Sequence, residues 1–444
     1  MTLQASHLSS PSPASAAGKP HIVSKEPPAI VAEAHKILRE TSAALPRSIG
    51  GLERQMMIGD VVSRMDEVVR DKLRGLMNHF LGRMLHMSAS DIDLGGYGTQ
   101  GQIWYRIHGV KRPDPSHGVF TPDEMNILVQ ALMGDRQRNF LFENRNLDFS
   151  HMLYLENGEF RRFRADAYFD LDQLALNMRA INNEIRAFKL LELHPNVAKV
   201  LSLAHTKDGL CLVTGITGSG KSTTLDTIID ANNHSVDAHV VIIAAPVEYV
   251  HKSDRCIVRH REVGRDVLSF KEGAVQALRQ DPDIIMIGEM RDADTIMTSL
   301  EITDSGHKVF STLHTGSAVE SIDRIIAETP PIEQERVRNR LADVIRCVIS
   351  QKLVPSLDGK RVLAKEVLVA TPSVRAAIKN SNTSEVYQMI SEGSELGMTT
   401  LEMDLRRLYM LKRISLETVM NFANNKRRMQ QLLAMQPTED LEKK

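Results

Sequence analysis

Gly215-Ile216-Thr217-Gly218-Ser219-Gly220-Lys221-Ser222 matches G-x-x-x-x-G-K-[ST], the pattern of a phosphate-binding loop. Its flanks match as well. Leu210-Cys211-Leu212-Val213-Thr214 is a short apolar run that reads as a buried strand. Leu225, Ile228 and Ile229 follow at helical spacing on one face. Strand, glycine loop and helix are the context such a loop needs. Glycines let the backbone fold back so that N–H groups point at phosphate oxygens, and the helix N-terminus adds partial positive charge. The binding residues expected are Gly215, Thr217, Gly218, Ser219, Gly220, Lys221, Ser222 and Thr223. Lys221 would reach the β/γ-phosphates, and the Ser222 hydroxyl would hold Mg²⁺. ATP and Mg²⁺ are the expected ligands.

The chain has 444 residues, enough for more than one domain. A net charge of −1 and the lack of a basic, aromatic stripe argue against a nucleic-acid partner. Three cysteines, Cys211, Cys256 and Cys347, are too few and too scattered for a disulfide framework or a four-cysteine zinc site. There is no charged-then-apolar leader and no apolar run of about 18 residues. The expected location is cytoplasmic.

Residues 1–28 are rich in Ser, Pro and Ala and read as disordered. Ile30 to Leu45 reads as a helix ended by Pro46, and the polar stretch around Gly50-Gly51 as linker. Between Val62 and Met87 apolar residues recur at helical spacing. Strands are expected at 90–94, 103–107 and 174–181, with a hairpin turning at Asn157-Gly158. Thr121-Pro122-Asp123-Glu124 is a capping box opening another helix. Together these predict a small α+β domain over 61–180. Beyond it, apolar strands at 210–214, 239–244, 284–288 and 308–312 alternate with helices, which predicts a mostly parallel sheet. A helix over 334–351, a strand over 362–368 and helices at 373–380, 383–392, 399–411 and 415–425 complete the reading, before a charged tail.

In a wound sheet of this kind the chemistry collects at the C-terminal strand ends. Three further motifs lie there. Asp283-Ile284-Ile285-Met286-Ile287-Gly288-Glu289 ends an apolar strand on a carboxylate able to serve the Mg²⁺ shell or polarise water. Val240 to Glu248 ends another, and Glu248 could take the proton of the attacking water. Gly306-His307 and Thr312-Leu313-His314-Thr315 bracket a fourth strand, and a neutral imidazole can donate to a γ-phosphate or couple its loss to motion.

Taken in order, these motifs, with Arg261-Glu262-Val263-Gly264-Arg265-Asp266, resemble the secretion ATPases of the type II/type IV pilus superfamily over residues 70 to 428, and most of all the PilT-like retraction group. The resemblance implies a RecA-like P-loop ATPase domain over 181–370. It also implies a smaller PAS-like domain before it, a C-terminal helical region over 371–428 and a tail from 429. It further implies a homo-hexameric ring that couples ATP hydrolysis to domain rotation and pilus retraction. The implied partners are an inner-membrane platform protein, on which the ring docks peripherally, and a paralogous pilus ATPase. Glu248, Glu289, Lys221 and His314 are the implied catalytic set, with His307 and His314 as the family's histidine box. Arg164 and Arg179 match its phosphate-sensing arginines, with Arg261 and Arg265 as second-rank candidates. One departure concerns chemistry. The family's Glu-Asp-Pro-Ile-Glu reads Ala244-Ala245-Pro246-Val247-Glu248 here, so two carboxylates are replaced. That substitution supports an alternative, an accessory subunit that hydrolyses little. The four-cysteine zinc insertion of pilus assembly ATPases has no counterpart in the chain.

Overall fold

A computed structural model of the chain describes residues 29–155, 159–181 and 185–435. The chain divides into two compact units. The first runs to Leu147 and adds Leu153–Phe160 and Ala165–Ala180; the second takes Asp148–Met152, Arg161–Arg164 and everything from Ile181.

Six strands precede the P-loop: β1 (Asp91–Gly95), β2 (Trp104–Ile107), β3 (Val110–Pro113), β4 (Asn146–Tyr154), β5 (Phe160–Asp170) and β6 (Gln173–Ala180), with β1 antiparallel to β2 and β6, and β2 to β3. They form one sheet in the order β3-β2-β1-β6-β5-β4. In the first unit the helix Glu67–His86 buries Leu73, Leu76, Met77, Phe80 and Leu81 completely. The expected capping box is present: the Thr121 side chain accepts the Glu124 N–H, and Glu124 accepts the Thr121 N–H at 2.7 Å.

The second unit holds β7 (Gly209–Thr214), β8 (Ala238–Ala244), β9 (Cys256–Glu262), β10 (Ile284–Ile287), β11 (Lys308–Leu313), β12 (Ile345–Pro355) and β13 (Arg361–Val369). Their order is β13-β12-β7-β11-β10-β8-β9, parallel throughout except for β13 against β12. Every residue of β7, β10 and β11 is buried, as a parallel sheet covered on both faces requires. Alternation splits the core in two. Leu212, Ile243, Ile287 and Val309 pack on one face with Ile296, Leu300 and Ile322. Val213, Ile242, Met286 and Phe310 pack on the other with Leu225, Ile228 and Ile229 of the helix Lys221–Asn233. Each fully buried aliphatic side chain contributes roughly 1.5–3 kcal/mol, so this sheet is a firm base for the loops at its edge. A third cluster joins Val354, Val362 and Ala364 to Leu401, Leu405, Leu408, Met429 and Leu432 of the C-terminal helices.

Four sequence expectations are corrected. The helix expected over 334–351 stops at Val344, and Ile345–Pro355 is β12. Its run of Ile345, Val348, Ile349 and Val354 has the β-branched character that suits a pleated, buried strand. The supposed linker around Gly50-Gly51 opens a helix, Gly51–Arg64, whose Ile58 and Val62 are fully buried. The periodic stretch 62–87 is not one helix but two. Asp66 breaks it and caps the second by accepting the Val68 N–H at 2.8 Å. The tail expected from 429 begins instead as the helix Lys426–Ala434, anchored by Met429 and Leu432. The Asn157-Gly158 turn, the Ser/Pro-rich residues 1–28 and the residues after 435 lie outside the described residues.

Candidate active site

The C-terminal ends of β7, β11, β10 and β8 lie side by side, since Leu313 pairs with Thr214 and Ile287 with both Ser311 and Ile243. The P-loop leaves β7 at this edge. Gly215 has φ +148, and a Cβ there would come within 2.4 Å of the Gln351 carbonyl and 2.5 Å of Ser219 Oγ, so only glycine fits. Gly218 and Gly220 are left-handed, at φ +78 and +88. The loop is braced from beneath by Gln351 on β12. Its Nε2 donates to the Ser219 carbonyl at 2.8 Å, and its Oε1 accepts the Thr224 hydroxyl at 3.0 Å.

Lys221 Nζ donates to the carbonyls of Gly215 at 2.9 Å and Ile216 at 3.3 Å. Burial pushes its pKa down, while the nearby carboxylates of Glu289 and Glu248 oppose that shift. Glu248 is exposed by surface area, yet protein atoms around it desolvate the carboxyl and raise its pKa, against a hydrogen bond from Ser222. The charge of Asp226 raises it further, while those of Arg164 and Lys221 lower it.

Glu289 follows β10. One oxygen accepts Arg291 Nε at 2.7 Å and the other lies 3.0 Å from His314 Nε2. His314 Nδ1 is 3.5 Å from Thr217 Oγ1 on the P-loop. Desolvation, then Lys221, pushes the His314 pKa down and favours the neutral imidazole, against the charge of Glu289. The fitting tautomer donates from Nε2 to Glu289 and accepts at Nδ1 from Thr217. A contact chain thus runs from the P-loop through His314 to the acid that ends β10.

The site fits a nucleoside triphosphate. The buried Ser219 Oγ has no hydrogen-bond partner within the protein, the space over Gly218 is open, and a lysine and a serine begin the helix. A triphosphate with its divalent cation supplies the anion such a cradle leaves unmatched.

The other expected residues are distributed differently. His307 lies at the opposite end of β11 from His314, about 20 Å along the strand. Its Nδ1 is 3.0 Å from Ser305 Oγ and 3.2 Å from the Ile302 carbonyl. Arg164 pairs with Asp148 at 3.2 Å, and Arg179 in the first unit pairs with Asp91 at 2.8 Å. Arg261 donates to Gln276 and to the Asp266 carbonyl, beside a cavity of about 520 Å³ on the sheet edge. Arg265 is exposed in the turn after β9.

Three contributors had no role assigned from the sequence. Gln351 was hidden inside the misassigned helix; the β-branched run around it was the available signal. Arg162 and Glu262 pair at 2.5 Å across 100 residues of chain, and no local pattern announces that contact.

Comparison with known proteins agrees with this geometry. Residues 67–435 match the family model described as type II/IV secretion system protein. The type IV pilus retraction ATPase PilT of Pseudomonas aeruginosa is 39% identical over 285 residues, covering 64% of this chain and 81% of that protein. A twitching motility protein of Neisseria gonorrhoeae is 35% identical over 325 residues, 72% of this chain and 84% of its own length. A crystal structure of the pilus retraction motor PilT with bound ADP superposes with a TM-score of 0.70 at 34% identity, covering 80% of this chain and 98% of that one. The chain belongs to the type II/IV secretion system protein family, in its PilT-like type IV pilus ATPase branch.

Proposed function

We propose that this chain is the ATP-hydrolysing subunit of a homo-hexameric motor that powers type IV pilus retraction. The observation that carries the reading is the convergence on one sheet edge of Lys221, Ser222, Glu248 and the Glu289–His314 pair. The P-loop N–H groups and Lys221 hold and neutralise the β/γ-phosphates, and the Ser222 hydroxyl would hold Mg²⁺, which would supply positive charge against the phosphates. Glu248, a carboxylate with a raised pKa beside Ser222, takes the proton of the water that attacks the γ-phosphate. Glu289 and His314 report loss of that phosphate through Thr217. Arg164, whose charge already reaches Glu248, is the leading candidate to spread over the developing phosphoryl charge. Arg179 would have to leave Asp91 to do so. Among the described residues no helix is long and apolar enough to cross a membrane. In this reading force passes to a membrane platform protein through surface contacts, with the ring docked at the inner membrane.

The test is genetic. A strain lacking this chain should lose pilus retraction and twitching, and Lys221→Ala should fail to restore either. Full restoration by Lys221→Ala would remove the reading.

Ala244 and Ala245 favour a second reading, an accessory subunit beside a paralogous pilus ATPase. Ala244 is buried at the end of β8, against Gly288, so no carboxylate stands where the family carries one. Robust phosphate release by this chain alone would rule that reading out.

A further inference from the structure

Glu248 lies on an irregular segment, Val247 to His251, so neither helix nor strand sets its position. Both ends of the segment are nevertheless pinned. At the far end His251 Nε2 is 3.1 Å from Asp226 Oδ1 on the P-loop helix, and the His251 N–H donates to His260 Nε2 at 2.9 Å. At the near end the hold is ionic. Glu262 Oε2, at the end of β9, accepts the Val247 N–H at 3.1 Å, and Arg162 Nη1 donates to the Val247 carbonyl. Arg162 and Glu262 then close on each other at 2.5 Å, and Ser150 donates to the other Glu262 oxygen at 2.6 Å. All of these residues belong to the second unit. The two charged side chains are 5% and 8% exposed.

A pair this buried is poor evidence of stability, because its desolvation cost offsets most of its attraction and an apolar pair of equal volume often serves as well. An apolar pair cannot hold both backbone groups of the residue next to a functional carboxylate.

We propose that Arg162 and Glu262 are positioning residues for hydrolysis: by gripping the N–H and the carbonyl of Val247, they fix where the Glu248 carboxylate stands beside Ser222. The inference rests on the reading of Glu248 as the base. A displacement of about 1 Å in such a group costs on the order of 100-fold in rate, without weakening ground-state binding.

The experiment measures ATP turnover of the full chain with five variants. Glu248→Gln alone tests the base: wild-type turnover there overturns the reading of Glu248, whatever the pair does. Arg162→Met/Glu262→Met removes the grip and leaves no orphaned charge. Its kcat should fall by about 10- to 100-fold, with KM for ATP within about threefold of wild type. Glu262→Gln keeps one oxygen able to accept from both Val247 and Arg162, though it removes the charge that pairs Arg162, and should retain more turnover than the double methionine variant. Arg162→Lys keeps the charge but not the fork that reaches two partners, so it should lose kcat even if the double variant does not fold. In the Glu248→Gln background the double methionine change should cost less than about twofold more, since both changes remove the same function. An unchanged kcat in the double methionine variant, or in Arg162→Lys, overturns the proposal. So does a loss confined to KM, or a full additional loss on top of Glu248→Gln.

Discussion

Glu366→Gln should make the protein more stable at pH 8 and leave it nearly unchanged at pH 5. Glu366 sits on β13 with only 2% of its surface exposed, and its carboxylate accepts the Ala318 N–H at 2.7 Å, at the start of the helix that follows His314. Burial first, and then the neighbouring carboxyl of Glu402, push its pKa from 4.5 to about 7. The folded state therefore holds a proton that the unfolded chain releases. Its stabilising contribution is full below pH 4.5 and is lost as pH rises through about 7. A shift of that size corresponds to about 3 kcal/mol between the two limits. Glutamine keeps the acceptor and removes the titration. With about 2 °C per kcal/mol for a unit of this size, the variant's Tm should exceed wild type by about 5 °C at pH 8. Thermal denaturation of both proteins at pH 5 and pH 8 measures it, and the quantity of interest is the variant-minus-wild-type difference, which cancels other titrations. A difference that is equal at both pH values, or smaller at pH 8, refutes the reasoning.

Other outcomes follow from the same geometry. Gln351→Ala removes the brace beneath the P-loop and leaves the Ser219 carbonyl and the Thr224 hydroxyl without it. It should cost about 2 kcal/mol and raise KM for ATP several-fold, read by thermal melts and steady-state kinetics. Leu225→Ala opens a cavity under the loop's helix and should cost about 3 kcal/mol, measured by denaturation. His117 is buried, with Nε2 3.0 Å from the Tyr105 hydroxyl, and burial pushes its pKa down to about 4. Its contribution is therefore full above pH 6.5 and is lost as pH falls through about 4. His117→Gln should flatten the acid limb of the stability profile. Ala244→Glu/Ala245→Asp should raise turnover if the missing carboxylates limit it; unchanged turnover means that the remaining acids suffice.

Much of the site was legible because its signals are local. The P-loop, the acid after β10 and the acid after β8 each follow an apolar run, and a parallel sheet brings such run ends together whatever the loops between them do. His314 was legible for the same reason. His307 brackets the same strand from its other end, as the pattern places it, and the strand's length carries it away from His314. Ile345–Pro355 failed at the sequence level because a helix ends and a strand begins inside one apolar stretch, with no glycine or proline between them. Arg162 and Glu262 failed because their meeting depends on tertiary structure alone. The Gly50-Gly51 stretch reads as linker until Ile58 and Val62 are seen to be buried.

The most direct test is Mg²⁺-dependent ATP hydrolysis by the purified full chain, with Lys221→Ala and Glu248→Gln measured beside it. The account predicts turnover by wild type and a loss of at least about 100-fold in each variant, with nucleotide binding weakened in Lys221→Ala and retained in Glu248→Gln. Hydrolysis at the wild-type rate by either variant would contradict it.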